Sequence, residues 1–113
     1  TIPFVTAISA RNALPGTAGL AAINGALEAM VGSLAREFRP SRVNAVSPGL
    51  VDTPWWNRVP AAMKDDLFRQ QVETLPVGRV GRPQDVAHAI QFLIENGYTT
   101  GTVIECDGGL RLV

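Results

Sequence analysis

Two polar side chains that could contact a ligand, Asp52 and Thr53, follow closely after the end of a predicted strand. Residues 43–46 form a short apolar run with β-branched side chains, and the segment stops at Pro48 and Gly49. Such a run before a Pro-Gly pair is typical of a buried strand that ends in a sharp turn. Gly49 has no Cβ and lets backbone or ligand come close. Because ligands of open α/β sheets lie past the carboxyl ends of the strands, this segment is predicted to be a ligand edge.

Four residue types with frequent catalytic uses occur once each, at Tyr98, Lys64, His88 and Cys106. His88 falls on the polar side of its helix and is interpreted as a solvated residue. No second histidine or cysteine lies near it, so we predict no metal site. Cys106 ends an apolar stretch and is interpreted as a small core residue. A single cysteine cannot form an internal disulfide, which favours a reducing, cytoplasmic compartment.

Composition and charge restrict the classes of partner. The chain has 113 residues, of which 46% are hydrophobic and 18% charged, as expected for one globular domain or part of one. The 10 basic and 10 acidic side chains give a formal net charge of zero, so we expect neither nucleic acid nor an anionic membrane as a partner. We also expect no membrane span, because no apolar run approaches the ~20 residues required.

Strand and helix patterns alternate along the chain and position the ligand edge. The predicted order is a strand over 1–8, a helix over 17–38, a strand over 41–48, a helix over 61–73, a helix that begins at Pro83 and ends at Asn96, and a strand over 102–106. Long helices between strands imply parallel crossovers with helices on the faces of the sheet. Three strands make a thin sheet whose first strand has an unpaired edge. We therefore expect the carboxyl-terminal part of a longer domain.

Four sequence blocks carry a resemblance to a known family: SLAREF at 33–38, RVNAVSPGLVDTP at 42–54, LPVGRVGRPQDVA at 75–87 and TTGTVIECDGG at 99–109. Over nearly its whole length, the chain resembles the carboxyl-terminal half of the short-chain dehydrogenase/reductase family. The resemblance implies an α/β fold in which residues 1–113 form part of a three-layer, Rossmann-like parallel sheet. It also implies hydride transfer on a carbonyl or alcohol, with NAD or NADP as cofactor.

The resemblance places the nicotinamide end of the cofactor at the ligand edge. Pro48 and Gly49 are expected to turn the chain beneath the nicotinamide ring, and the Val51 backbone and Thr53 hydroxyl to meet its carboxamide. A threonine hydroxyl is both donor and acceptor, which suits an amide. The alternative is that Thr53 only caps a local turn. The family's residues that select NAD or NADP lie in its first half, so this chain does not distinguish the two cofactors.

The usual acid/base pair of the family is absent from this sequence. Family members use a tyrosine followed four residues later by a lysine, whose charge lowers the pKa of the tyrosine. The corresponding positions hold Leu20 and Asn24. The family's substrate-orienting serine corresponds to about Ala7, with Thr6 and Ser9 nearby. We therefore predict no catalytic residue of the usual kind.

Three hypotheses about function remain open. The whole protein is an oxidoreductase whose proton donor is Ser9, Thr6 or water, a non-catalytic dinucleotide-binding module, or a purely structural protomer. Trp55 and Trp56, together with Ser9, are predicted to line a substrate pocket, and lid packing or an oligomer contact is the alternative for the tryptophans. In the family, the helix equivalent to 17–38 pairs with its symmetry mate. Its Ala/Gly-rich face therefore predicts a homo-oligomer.

Overall fold

Strands and helices alternate in the computed structural model, which describes residues 1–113, in the order that the sequence predicts. The main elements are β1 (Ile2–Val5), α1 (Ala18–Glu37), β2 (Val43–Pro48), α2 (Ala61–Thr74), α3 (Pro83–Glu95) and β3 (Val103–Cys106). Short 3-10 helices lie at Ile8–Ala10, Pro54–Arg58 and Leu110–Leu112. The first strand is shorter than the predicted 1–8, because the chain turns into a 3-10 helix at Ile8.

β2 is the central strand of a parallel sheet with the order β1-β2-β3. Ile2 pairs with Val43 on one side of it, and Val46 pairs with Ile104 on the other. Residues 43–47 are all 0% exposed, so both faces of the strand are covered. Because α1 and α3 are the helices packed against β2, the fold has three layers. The predicted α/β, Rossmann-like architecture is confirmed.

Two polar side chains at the start of β2 hold the connection between α3 and β3. The Arg42 guanidinium donates to the carbonyl of Leu93 at 2.6 Å, in the last turn of α3. Buried Asn44 donates to the carbonyl of Thr99 at 3.0 Å and accepts from the amide of Thr102 at 3.2 Å. The first residues of the RVNAVSPG block are therefore structural, and only its end faces the ligand edge.

α1 is more exposed than its apolar periodicity predicts. The sequence predicts one apolar face formed by Leu20, Ile23, Leu27, Met30, Val31 and Leu34. In the structure only Val31 is buried, while Leu20, Ile23 and Met30 are 55%, 64% and 46% exposed. The Ala/Gly-rich face is open too, since a Cβ at Gly25 would meet no neighbouring element within 4 Å. Within this chain only the side of α1 that lies on β2 is covered, so the apolar periodicity marks the helix but not which of its faces is buried.

α1 is long enough and apolar enough to cross a membrane, judged by length and composition alone. The expectation that no apolar stretch approaches that length is therefore wrong for Ala18–Glu37. Core helices of globular domains can have the same length and apolar content. Here α1 lies along the sheet, and its Val31 side chain is 1% exposed against the strands.

The chain leaves much of its apolar surface uncovered. Only 12 of its 113 residues are buried, and its accessible surface is 7104 Å². A folded monomer of 12.0 kDa exposes about 6,000 Å², so the excess is roughly a fifth. The outer edge of β1 pairs with no strand in this chain, and Val5 beside it is 56% exposed. The β1 edge and the open side of α1 are thus two surfaces available for further packing.

Candidate functional site

One cavity of about 660 Å³ lies at the carboxyl ends of β1 and β2 and brings the predicted site residues together. All of them line it: Ser9, Pro48, Gly49, Val51, Thr53, Trp55 and Trp56. Leu20 and Asn24 of α1 line the same cavity, as does Thr6 at the end of β1. Thr6 and Trp56 are 50 positions apart in the chain but line the same cavity, because parallel strands end at the same edge of the sheet.

The backbone of Val51 is held so that its amide has no hydrogen-bond partner within the chain. Val51 forms an isolated parallel bridge with Gly81, whose amide donates to the Leu50 carbonyl and whose carbonyl accepts from the Asp52 amide, both at 2.9 Å. In this parallel bridge Gly81 bonds to Leu50 and Asp52, the residues on either side of Val51. The N–H and C=O of Val51 itself therefore point away from Gly81. The Val51 carbonyl accepts the indole N–H of Trp56 at 3.0 Å, and the Val51 amide makes no hydrogen bond in this chain.

The Thr53 hydroxyl is also free. Thr53 occupies the N-cap position of the 3-10 helix Pro54–Arg58, but its side chain makes no capping hydrogen bond. The turn is closed by the backbone instead, since the Trp56 amide donates to the Thr53 carbonyl at 3.1 Å. In this structure the Thr53 side chain therefore does not cap the local turn. Its hydroxyl keeps both donor and acceptor capacity at the cavity.

Gly49 is required by the close approach of another backbone. A Cβ at this position would lie 2.7 Å from both the Cα and the carbonyl oxygen of Asp107. The Gly49 amide donates to the Cys106 carbonyl at 3.1 Å, which extends the β2–β3 ladder one step past Pro48. The sequence prediction that Gly49 admits a close neighbour is confirmed, and the neighbour within this chain is the turn after β3.

The end of β3 is fixed by a buried carboxylate. Asp107, 6% exposed, accepts hydrogen bonds from the amides of Gly109 at 2.9 Å and Arg111 at 3.1 Å, and from the Arg111 guanidinium at 2.9 Å. Burial raises the pKa of this carboxyl, but the three hydrogen bonds and the Arg111 charge outweigh burial and lower the pKa below its ordinary value. Gly108 and Gly109 have φ of +64° and +86°, so the predicted glycine freedom of this turn is confirmed.

The two positions that correspond to the family's acid and base hold no ionisable group. Leu20 lines the cavity with its apolar side chain. Asn24 donates from Nδ2 to the Ser9 hydroxyl oxygen at 3.1 Å and to the Leu20 carbonyl at 2.9 Å. The one tyrosine, Tyr98, is fully exposed in the connection that precedes β3. The one lysine, Lys64 of α2, forms an ion pair of 2.6 Å with Asp52, so the structure places neither on α1.

Thr6 is held differently from Ser9. Thr6 is 7% exposed, and its hydroxyl lies 2.8 Å from Oε1 of Glu28, to which it can only donate. The other oxygen of Glu28 accepts from Nε of Arg11 at 2.9 Å. The hydroxyl hydrogen of Thr6 is thereby committed to the carboxylate, whereas that of Ser9 has no acceptor in this chain.

The two tryptophans differ in their environment. Trp56 is half-buried and stacks edge-on against Phe68 of α2, with ring centroids 5.2 Å apart. Trp55 packs edge-on against Trp56 at 4.9 Å and is 57% exposed. The Lys64 ammonium lies 5.1 Å from the Phe68 ring of the same helix, and its ion pair with Asp52 connects α2 to the segment after β2. Packing of the lid therefore accounts for Trp56, and Trp55 remains open toward the cavity.

Charged groups lie outside the cavity wall. At the start of α3, hydrogen bonds from the Arg79 side chain and the Arg82 amide hold the pKa of the Asp85 carboxyl well below its usual range. Burial raises the pKa of the Cys106 thiol, and nearby Asp85 and Asp107 raise it further. His88 is exposed on α3. No three histidine, cysteine or acidic side chains come together in a way that could hold a metal ion.

Comparisons with known proteins agree with this geometry. A family profile described as enoyl-(acyl carrier protein) reductase matches residues 1–111. The chain is also 35% identical over 112 residues to the short-chain dehydrogenase/reductase ATR9 of Stachybotrys chlorohalonatus, which covers 99% of this chain and 44% of that protein. The chain belongs to the short-chain dehydrogenase/reductase family.

Two solved structures of this family show the same arrangement of elements. A small-chain dehydrogenase in complex with NADPH has a TM-score of 0.96 and 42% identity, over 99% of this chain and 51% of that one. A short-chain oxidoreductase from Pseudomonas aeruginosa PAO1, bound to NADPH and containing an atypical catalytic center, has a TM-score of 0.81 and 32% identity over 96% of this chain and 45% of that one. The chain thus spans about half the length of the relatives that it matches.

Proposed function

We propose that this chain forms the nicotinamide end of an NAD- or NADP-dependent oxidoreductase that acts on a carbonyl or alcohol. The observation that carries the proposal is the pair of free hydrogen-bonding groups on one cavity wall, the Val51 amide and the Thr53 hydroxyl. A carboxamide offers one acceptor oxygen and an NH₂ donor, so these two groups match it. The NADPH complex of a relative with 42% identity supports the same assignment.

The residues present fit the nicotinamide end of a dinucleotide. Val51 and Thr53 would hold the carboxamide, and Pro48 and Gly49 would turn the chain beneath the ring. When bound, a reduced nicotinamide supplies a hydride to a carbonyl carbon. The protein's part is to orient the two reactants and to keep water from the reacting atoms, for which Trp55 and Trp56 provide apolar cover.

A non-catalytic dinucleotide-binding subunit, or a structural oligomer subunit, is the second candidate. Leu20 and Asn24 favour it, because neither side chain can transfer a proton as the family's tyrosine does. The Pseudomonas aeruginosa relative supports the first candidate, because it is a short-chain oxidoreductase with an atypical catalytic center. Measured turnover of a carbonyl or alcohol substrate would distinguish the two candidates.

Oligomerisation and further packing belong to the same proposal. The open Ala/Gly-rich side of α1, within residues 17–38, suits close contact with a second copy of the protein. The unpaired edge of β1 suits an additional parallel strand, as in a sheet wider than three strands. A reducing, cytoplasmic compartment remains our expectation, since Cys106 is the one cysteine and is free.

Calorimetric titration of the whole protein with NADH and NADPH tests the proposal. The Thr53→Val variant should bind the preferred cofactor about 2–12-fold more weakly, which corresponds to the ~0.5–1.5 kcal/mol of one hydrogen bond. Thr74→Val is the matched control, because Thr74 is exposed at the end of α2 and its hydroxyl contacts only the Gln71 carbonyl. Equal affinity of the Thr53→Val variant and the wild type would refute the assignment.

A panel of ketones, aldehydes and alcohols then distinguishes the two candidates. Tight cofactor binding together with turnover supports the oxidoreductase. Tight binding without turnover over the whole panel supports the non-catalytic subunit. If neither cofactor binds, the oxidoreductase and the dinucleotide-binding subunit are both wrong, and the structural oligomer subunit remains.

A further inference from the structure

Three hydroxyl groups line the cavity, and the structure distinguishes their roles. The Thr6 hydroxyl donates to the Glu28 carboxylate at 2.8 Å, so its hydrogen is not available to a ligand. The Thr53 hydroxyl has no partner either, and Thr53 lines the cavity together with Val51 at the proposed carboxamide site. The Ser9 hydroxyl accepts from Asn24 at 3.1 Å and donates to nothing in this chain. Ser9 is therefore the hydroxyl whose hydrogen is free for a substrate.

Asn24 determines which way the Ser9 hydroxyl hydrogen can point. Both amide hydrogens of Asn24 have acceptors, one in the Ser9 hydroxyl oxygen and one in the Leu20 carbonyl. Asn24 is anchored within its own helix by the second bond, since Leu20 lies four residues earlier in α1. Because the amide occupies a lone pair of the serine oxygen, the serine hydrogen is directed away from it.

We propose that the Ser9 hydroxyl, positioned by Asn24, donates a hydrogen bond to the carbonyl oxygen of the substrate. The inference rests on the proposed oxidoreductase function and deepens it. A bound reduced nicotinamide would supply a hydride to the carbonyl carbon and become oxidised. The C=O π pair would move to oxygen, and that oxygen would take a proton from water, which leaves hydroxide to the solvent. Ser9 keeps its own proton, because an aliphatic hydroxyl is a weaker acid than a phenol. Its contribution is to stabilise the negative charge that develops on oxygen.

The same cavity indicates the class of substrate. None of its lining residues is charged, and Leu20 and Trp55 present apolar surface to it. A carboxylate or phosphate on the substrate would meet no cation there, so a neutral carbonyl compound is favoured. The cavity of about 660 Å³ also has to hold the nicotinamide ring on Pro48 to Thr53, and the part lined by Ser9, Leu20 and Trp55 is left for the substituents of the carbonyl compound. We therefore assign a neutral ketone or aldehyde with an apolar substituent.

Infrared spectroscopy of a bound ketone tests this hydrogen bond directly. The whole protein is saturated with its oxidised cofactor and then with acetophenone as the probe, with and without carbon-13 at the carbonyl, to isolate the C=O stretching band. Ser9→Ala should move this band to higher frequency, because the carbonyl loses a donor. Asn24→Asp should do the same, since a carboxylate only accepts and would capture the serine hydrogen. Ser9→Thr should keep the wild-type band, as should the control Ser41→Ala, which changes an exposed serine between α1 and β2.

Kinetics and cofactor binding complete the test. With a ketone that is turned over, Ser9→Ala should lower kcat by about 10²–10³-fold and change KM far less, as for other donors to a developing oxyanion. Cofactor affinity should stay within about twofold of the wild type. A C=O band unchanged in Ser9→Ala would overturn the inference, as would failure of acetophenone to bind the cofactor-loaded protein. If the wild-type protein bound neither NADH nor NADPH, the proposed function itself would be overturned.

Discussion

Gly49 offers the sharpest single perturbation of the site. In Gly49→Ala the new Cβ would lie 2.7 Å from the Cα and carbonyl oxygen of Asp107 and 2.9 Å from its Cβ. Ordinary contacts between such atoms are about 3.5–4.0 Å, so the gap is short by roughly 1 Å. The atoms in the way belong to backbone that is fixed by the β2–β3 ladder and by the three hydrogen bonds to the Asp107 carboxylate. The clash is therefore relieved only by moving the strand end or the turn.

The expected cost follows from that geometry. Overpacking of this kind destabilises proteins by about 1–3 kcal/mol. In a domain of about 150–250 residues, 1 kcal/mol shifts Tm by about 2–4 °C, so Gly49→Ala should lower Tm by about 2–12 °C. Since Val51 and Thr53 follow Gly49 directly, cofactor affinity should fall as well.

Thermal unfolding of the whole protein with and without cofactor measures both effects. Gly97→Ala is the matched control, because a Cβ at Gly97 meets nothing within 4 Å and its backbone is not left-handed. That variant should unfold at the wild-type temperature or slightly above it. If Gly49→Ala had the same Tm as Gly97→Ala, the close approach of the β3 turn to the ligand edge would be refuted.

Three further predictions concern stability and assembly. Asp107→Asn should lower the unfolding free energy by about 1.5–3 kcal/mol at pH 7. Because folding lowers the pKa of Asp107, the wild type should lose this advantage as the pH falls from the pKa of the unfolded state through that of the folded state. Denaturant titrations at pH 7 and 3 measure the difference. Arg42→Met should lower the unfolding free energy by about 2–3 kcal/mol, measured in urea, whereas Arg69→Met on exposed α2 should not. Ala29→Glu should dissociate the oligomer in light scattering, and an unchanged mass would contradict the α1 interface.

The order of elements was predictable because local patterns and tertiary packing agree. The β-branched run at 43–46 forms the central strand, with the Pro-Gly pair at its end, and helix bounds agree within one residue for Ala18–Glu37 and Ala61–Thr74. The exposure of α1 was not predictable, since periodicity reports which residues are apolar and not which face is covered. The length of β1 was also missed, because nothing in an apolar run marks where the ladder ends.

Within the site, the sequence identified the residues but not their bonds. The cavity contains every predicted site residue, from Ser9 to Trp56. The free Val51 amide depends on a bridge to Gly81, some 30 residues away, for which no local pattern exists. The pairing of Ser9 with Asn24 was missed for a different reason. Comparison with the family pattern shows Asn24 only as a position without a positive charge, although its amide is also a directed donor.

The central claim is that the segment from Pro48 to Thr53 holds the nicotinamide carboxamide. A crystal structure of the whole protein with its preferred dinucleotide tests it most directly. The account predicts that the carboxamide lies at about 2.7–3.2 Å from both the Val51 amide nitrogen and the Thr53 hydroxyl oxygen. A fully ordered cofactor whose carboxamide contacts neither group would contradict it.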